Sequence, residues 1–141
     1  MRRSFVNVPA VILLITGLAG GCATAPAPAP CPWPTSLDAV VAAPENHKVL
    51  LENERVRVLD VTVAPGEREP VHAHCRPSVL YIMSGSTFRD YDASGNVLRE
   101  QIQPIPPSQF PLTIWMGPQA PHAVENLDTK EVHLLRIEIK Q

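Results

Sequence analysis

No glycine loop of the phosphate-cradling kind, no serine nucleophile elbow and no cysteine pair at zinc-binding spacing occurs in the 141 residues. Those absences remove the familiar routes to nucleotide binding, serine-hydrolase chemistry and a structural zinc knot. Basic residues are also few: 12 Lys plus Arg stand against 14 Asp plus Glu, a net charge of -2. Nothing here offers nucleic acid or an anionic membrane surface an electrostatic footing. Beyond Glu45 no apolar periodicity of helix length is found, which argues against a helical bundle. The longest apolar run, about Val8 to Ala19, falls short of the roughly 18 to 20 residues that span a bilayer. No internal repeat or second domain is evident, and the length suits one globular core.

What is present begins with an export signal. "MRRSFVNVPAVILLITGLAGGC" places Arg2 and Arg3 before the apolar run and small residues after it, so residues 1–21 read as a signal peptide. Its end, "LAGGC", resembles a bacterial lipobox, with Ala19 where Leu is the commoner residue. The resemblance implies cleavage before Cys22 and lipidation of that thiol. Ala23, rather than Asp, follows, which implies the outer membrane, on the periplasmic side of the cell envelope, with the lipid as the only membrane attachment. The alternative is an ordinary secretory peptide cut near Gly21 or Ala23, leaving a soluble periplasmic protein. Loss of Arg2 and Arg3 leaves ten basic against 14 acidic residues, a net charge of -4. Residues 22–45 then form a Pro/Ala-rich spacer, "ATAPAPAPCPWPTSLDAVVAAP" being its bulk. Within it "TSLDAVVAAP" is able to form a short helical turn or to cover part of the domain.

From residue 46 to 141 the chain reads as one all-β domain. Strands are expected near 48–51, 55–63, 70–75, 78–84, 86–91, 97–102, 112–116, 122–126 and 131–139, separated by "APGE", "SGS" and "DASGN" turns. Gly95 and Asn96 suit positive φ in the last of these. Nine short strands in about 95 residues indicate a sandwich or barrel. The run from Val79 to Met83 is apolar throughout, so both its faces should be covered, one by the barrel interior. The other calls for a second sheet, the spacer or a partner subunit, which makes a homodimer the expected assembly.

His72 and His74, two apart on an extended strand, project from one face close enough to share an ion. Imidazole pairs suit Zn, Fe, Ni, Cu or Mn, although an exposed H-x-H is often only a solvated pair. Gly66 precedes His72 by six positions, Gly85 follows His74 by eleven, and far downstream "PHAVEN" supplies His122 and Asn126. This pattern resembles the two sequence motifs of the cupin superfamily. The first runs Gly, five residues, His, one residue, His, three or four residues, Glu, six residues, Gly. The second ends Gly, two residues, His, three residues, Asn. The resemblance covers residues 46–141 and implies a small cupin jelly-roll barrel (a double-stranded β-helix) with His72, His74 and His122 pointing inward around a divalent metal, Fe, Zn, Mn or Ni.

Two departures from the family pattern carry meaning. Ser78 stands where the glutamate ligand belongs, and its neutral hydroxyl is a poor ligand, so the expected site has three histidines and a higher net charge. Gln119 occupies the glycine position of the second motif, and Gly117 and Pro118 alter the turn before it. The competing reading is a metal-free barrel whose histidines bond one another or water.

Strand parity places His133 with Leu135, Ile137 and Ile139, directed into the barrel as a pocket group or, more simply, as a satisfied core histidine. Ser78, Trp115 and His133 are thus the expected pocket residues; Trp115 and Tyr81 can equally be packing. His47, just before the first strand, reads as solvated, and Arg76 and Arg89 as surface residues. Cys31 and Cys75 are able to pair and strap the spacer to the barrel. The function expected is an envelope metal-binding module taking a small ligand; no catalytic residue is identified, and no general base is evident beside the histidines. The alternative is a metal-dependent oxygenase or isomerase acting on a small polar molecule.

Overall fold

The computed structural model describes residues 30–140. The expectations for the leader and for Cys22 concern positions outside them. Nine strands form two antiparallel sheets: β1 (His47–Glu52), β2 (Val56–Val63), β3 (His72–His74), β4 (Ser78–Ser84), β5 (Phe88–Asp92), β6 (Val97–Gln101), β7 (Leu112–Met116), β8 (Gln119–Asn126) and β9 (Val132–Ile139). The larger sheet runs β1-β2-β9-β4-β7 and the smaller β3-β8-β5-β6. They face each other as a jelly roll, each strand close to its expected place.

The turns follow from glycine. Gly66, Gly85 and Gly95 all take positive φ, a conformation that L side chains resist, whereas among the described residues no other residue type does, so Asn96 does not adopt the positive φ expected of it. Gly85 has a second reason to lack a side chain: a Cβ there would stand 2.6 Å from Val132 Cγ2 and 2.8 Å from Val132 Cα.

Period-2 alternation decides which residues face the interior. On β2 the buried positions are Arg57, Leu59, Val61 and Val63. On β9 they include Arg136 and Glu138, and the latter is fully buried. The opposite face of the larger sheet carries a continuous apolar row. Leu51 pairs with Val58, Val58 with Ile137, Ile137 with Val79 and Val79 with Trp115, so one residue from each of the five strands lies in line.

Part of the segment read as spacer is folded against this barrel. A 3-10 turn at Thr35–Leu37 leads into α1 (Ala39–Ala42), whose N-cap Asp38 accepts a bond from Val40 N at 3.2 Å. Asp38 also pairs with Ala73 across a parallel bridge and with the Arg57 guanidinium at 3.0 Å. Ala39 and Ala43 are fully buried, small enough for α1 to lie directly on β3. A disulfide between Cys31 and Cys75, 44 positions apart, closes this strap.

Candidate metal centre and ligand cavity

Between the sheets lies a cavity of about 240 Å³, with apolar walls from Val61, Val63, Leu80, Ile82, Ile114 and Leu134 among others. Its polar groups gather at β3, β8 and the end of the strap. His72 and His74 come from β3 with 1% exposure each, and His122 from β8 with 5%. His72 pairs directly with His122 in the sheet register, with ring centroids 4.6 Å apart; the His72 and His74 rings are 5.0 Å apart. The three histidines expected from the motifs therefore converge.

A fourth ring joins them. His47, expected to be solvated, is 3% exposed and lines the cavity, its ring 4.5 Å from that of His72 and 5.3 Å from that of His74. Ligand atoms of His47, His72 and His74 all lie within 4.8 Å of one another. The strap explains the placement: Ala43 O accepts the His47 backbone N–H at 3.0 Å, and the turn this makes directs the side chain inward. The sequence signal was weak, a histidine four residues after a buried Ala at the end of a short helical turn.

Each ring is held by its Nδ1. His72 donates to Pro70 O at 2.9 Å, His122 to Ala120 O at 2.8 Å, His47 to Ala43 O at 3.3 Å and His74 to Glu138 Oε1 at 3.1 Å. Carbonyl and carboxylate oxygens only accept, so the proton sits on Nδ1 in all four, and the Nε2 lone pair is left free in His47, His72 and His74. Such outer bonds orient metal-ligating histidines. Burial also keeps the rings neutral: it lowers His47 to about 4 and His72 to about 2, and takes His74 well below the usual 6.5. His122 is lowered by burial as well.

Neutral imidazoles with free lone pairs fit a borderline divalent metal such as Zn, Fe or Ni. Two features temper the fit. The Gln119 amide Nε2 lies 3.4 Å from His122 Nε2 and competes for its lone pair, which a glycine at position 119 would not do. The Arg136 guanidinium, 4% exposed, also lines the cavity and opposes a second cation.

Ser78, expected in the pocket, is fully buried but does not line the cavity. Its hydroxyl donates to Arg76 O at 3.2 Å and accepts from Arg136 Nε at 3.0 Å. Trp115 and His133 are corrected outright. Trp115 is 63% exposed on the outer face, because the inward positions of β7 are Leu112, Ile114 and Met116. His133 also faces outward, its Nε2 2.7 Å from Asp60 Oδ1. Parity failed on β9 because the inward set is Val132, Leu134, Arg136 and Glu138, half of it charged, while His133 shares the outward face with Leu135, Ile137 and Ile139. Asn126 is structural: fully buried, it donates to Val63 O and Lys130 O, both at 2.8 Å.

Glu69 is the other residue that sequence reasoning passed over. It lines the cavity at 5% exposure, its Oε1 3.8 Å from His47 Nδ1, and burial lifts its carboxyl to about 8. The acid/base group absent from the sequence reading is therefore present in the cavity.

No family model matches the chain, and no curated protein matches it. Solved structures do. A cupin domain from Bordetella pertussis Tohama I is 23% identical, with 67% of this chain and 92% of that one aligned and a TM-score of 0.52. An uncharacterised protein with a double-stranded β-helix domain from Klebsiella pneumoniae is 16% identical over 67% of this chain and 70% of that one, with a TM-score of 0.48. A cupin-family protein from Methanocaldococcus jannaschii is 12% identical over 66% and 77%, with a TM-score of 0.46. The likeness to the first fixes the fold as a cupin jelly roll.

Proposed function

We propose that this chain is a cell-envelope protein, lipid-anchored at Cys22, whose cupin barrel holds a divalent transition metal and presents it to a small molecule in the cavity. The observation that carries the reading is the set of four buried imidazoles, each fixed through Nδ1, with the other nitrogen free in His47, His72 and His74. His72, His74 and His47 would form the tightest ligand set, with His122 completing it once Gln119 gives way. The metal would supply Lewis acidity toward a bound oxygen or carbonyl group. The signal segment and the lipobox resemblance support the envelope location, and the exposed apolar row from Leu51 to Trp115 supports a second copy docking on the larger sheet.

A second reading, a metal-dependent oxygenase or isomerase, is favoured by Glu69. A buried carboxyl in the cavity and beside His47 is placed to exchange a proton with a bound molecule. Metal analysis of protein purified from its own envelope tests the first premise. The wild type is expected to carry about one transition-metal ion per chain. The His72→Ala, His122→Ala double variant should lose it, and His47→Ala should retain it less firmly. Metal content unchanged in the double variant would overturn the site.

A further inference from the structure

Among the described residues, the buried side-chain atoms left without a hydrogen-bond partner are Glu69 Oε1, Asp90 Oδ1, Gln119 Oε1 and Arg136 Nη2. All four residues line the one cavity. Native interiors leave few such atoms, and their convergence on one space suits a polar molecule. Arg136 is the sharpest case. Its Nε is taken by the neutral Ser78 hydroxyl at 3.0 Å. The nearest carboxylate oxygen, Glu138 Oε1, is 3.9 Å away, and that carboxylate already accepts from Arg57 at 2.7 Å and from His74 at 3.1 Å. A guanidinium at 4% exposure, on a residue that lines the cavity, thus has its nearest anion 3.9 Å away and its Nη2 buried without a hydrogen-bond partner. Isolated buried charge is costly, and a planar guanidinium fork is suited to carboxylate.

We infer that Arg136 is the recognition group for the carboxylate of a small organic acid whose apolar body packs on Val61, Leu80, Ile82, Ile114 and Leu134. Ser78 is the residue that makes this recognition available. A glutamate there would pair with Arg136 and close off its charge; a serine holds the guanidinium by Nε and leaves Nη2 for the ligand. The cavity volume equals that of roughly eight waters, which limits the acid to a short chain or a single ring. Gln119 Oε1 and Asp90 Oδ1 are acceptors without donors, so a hydroxyl on the acid would be matched as well. Arg99, which also lines the cavity, is half exposed and already 3.6 Å from Asp90 Oδ2, so it does not compete for this role. The inference rests on reading the cavity as a small-molecule site, and it does not need the metal.

The test uses butyrate and benzoate against their uncharged counterparts, butyramide and benzamide, titrated calorimetrically into metal-stripped and metal-loaded protein. Each acid should bind at least about tenfold more tightly than its amide in the metal-stripped wild type, the range expected of a charge-assisted pair. Arg136→Gln should abolish that preference, and Arg136→Lys should keep part of it. Circular dichroism checks that both variants fold. The comparison of acid with amide in the wild type stands even if neither variant does. Equal binding of acid and amide, binding of neither at millimolar concentration, or a preference that survives Arg136→Gln overturns the inference. Metal content measured on the protein as purified separates the two proposals: acid selectivity in protein that purifies without metal overturns only the metal centre, and metal without acid selectivity overturns only the role of Arg136.

Discussion

Lowering the pH from 7 to 5 should destabilise the metal-free barrel, by an amount set by the cavity. Burial holds His47 down at about 4, His72 at about 2 and His74 well below 6.5 in the folded protein, whereas in the unfolded chain all three protonate near 6.5. Below that value the unfolded chain binds protons that the folded one refuses. The stability contributed by these rings is therefore complete near pH 7 and is lost as the pH falls, the His47 share ending near pH 4. Over the interval from pH 7 to 5 His47 and His72 each cost about 2 kcal/mol, or about 4 kcal/mol for the two, and His74 and His122 act in the same direction. Glu69 acts in the opposite sense. Its carboxyl, lifted to about 8 by burial, keeps a proton that the unfolded chain has released, so acidification over the same interval restores about 2 to 3 kcal/mol. Asp90, also raised by burial, adds in that direction. The histidines win by at least about 1 to 2 kcal/mol before His74 and His122 are added, a sizeable share of the roughly 5 to 15 kcal/mol that holds a domain together. Urea unfolding of chelator-treated protein should show the midpoint falling by roughly 1 to 3 M between pH 7 and 5. Glu69→Gln should widen that fall. A midpoint that holds steady or rises on acidification in both proteins would refute the reasoning.

Two further outcomes follow from the strap and the turns. Reduction of the Cys31–Cys75 disulfide, or a Cys31→Ser, Cys75→Ser double substitution, opens a loop of 44 positions and should cost roughly 4 kcal/mol by the chain-entropy relation. Urea unfolding with and without reductant measures it, and a change below about 1 kcal/mol would mean that packing alone holds the strap. Gly85→Ala should cost roughly 2 to 4 kcal/mol, since positive φ and the clash with Val132 act together, while Gly66→Ala, with open space around it, should cost only about 1 to 2 kcal/mol. Equal thermal destabilisation of the two variants would contradict that account.

The strands and three of the cavity histidines were legible in the sequence because both rest on local rules. Glycine punctuates the turns, alternation marks the strands, and the spacing of Gly66, His72, His74, His122 and Asn126 is a linear pattern. What stayed hidden depends on contacts across the fold. His47 lies inside because the strap packs on β3 through Ala39 and Ala43, which no pattern around residue 47 announces. Glu69 resembled a loop carboxylate, and only the approach of β8, where Val124 O accepts its backbone N–H at 2.9 Å, brings it under cover. On β9 the alternation was visible but its sign was misread: hydrophobicity assigns the inward face where the interior is apolar, and the interior of this barrel is charged at Arg136 and Glu138. Ser78, which looked like a missing ligand, has a partner in Arg136, 58 positions away.

The four anchored Nδ1 atoms have a consequence for which ion the cavity would accept. None of the rings can spin toward a newcomer without giving up its outer hydrogen bond, so the four lone pairs form a fan of fixed directions rather than a set of adaptable arms. A fan of that kind discriminates by angle as well as by intrinsic affinity: an ion content with the imposed directions enters, and one that demands others must break bonds to Pro70, Ala120, Ala43 or Glu138 to obtain them. Nor does entry require any ring to shed a proton, so the heat of loading near neutral pH should be the same in buffers of different ionisation enthalpy.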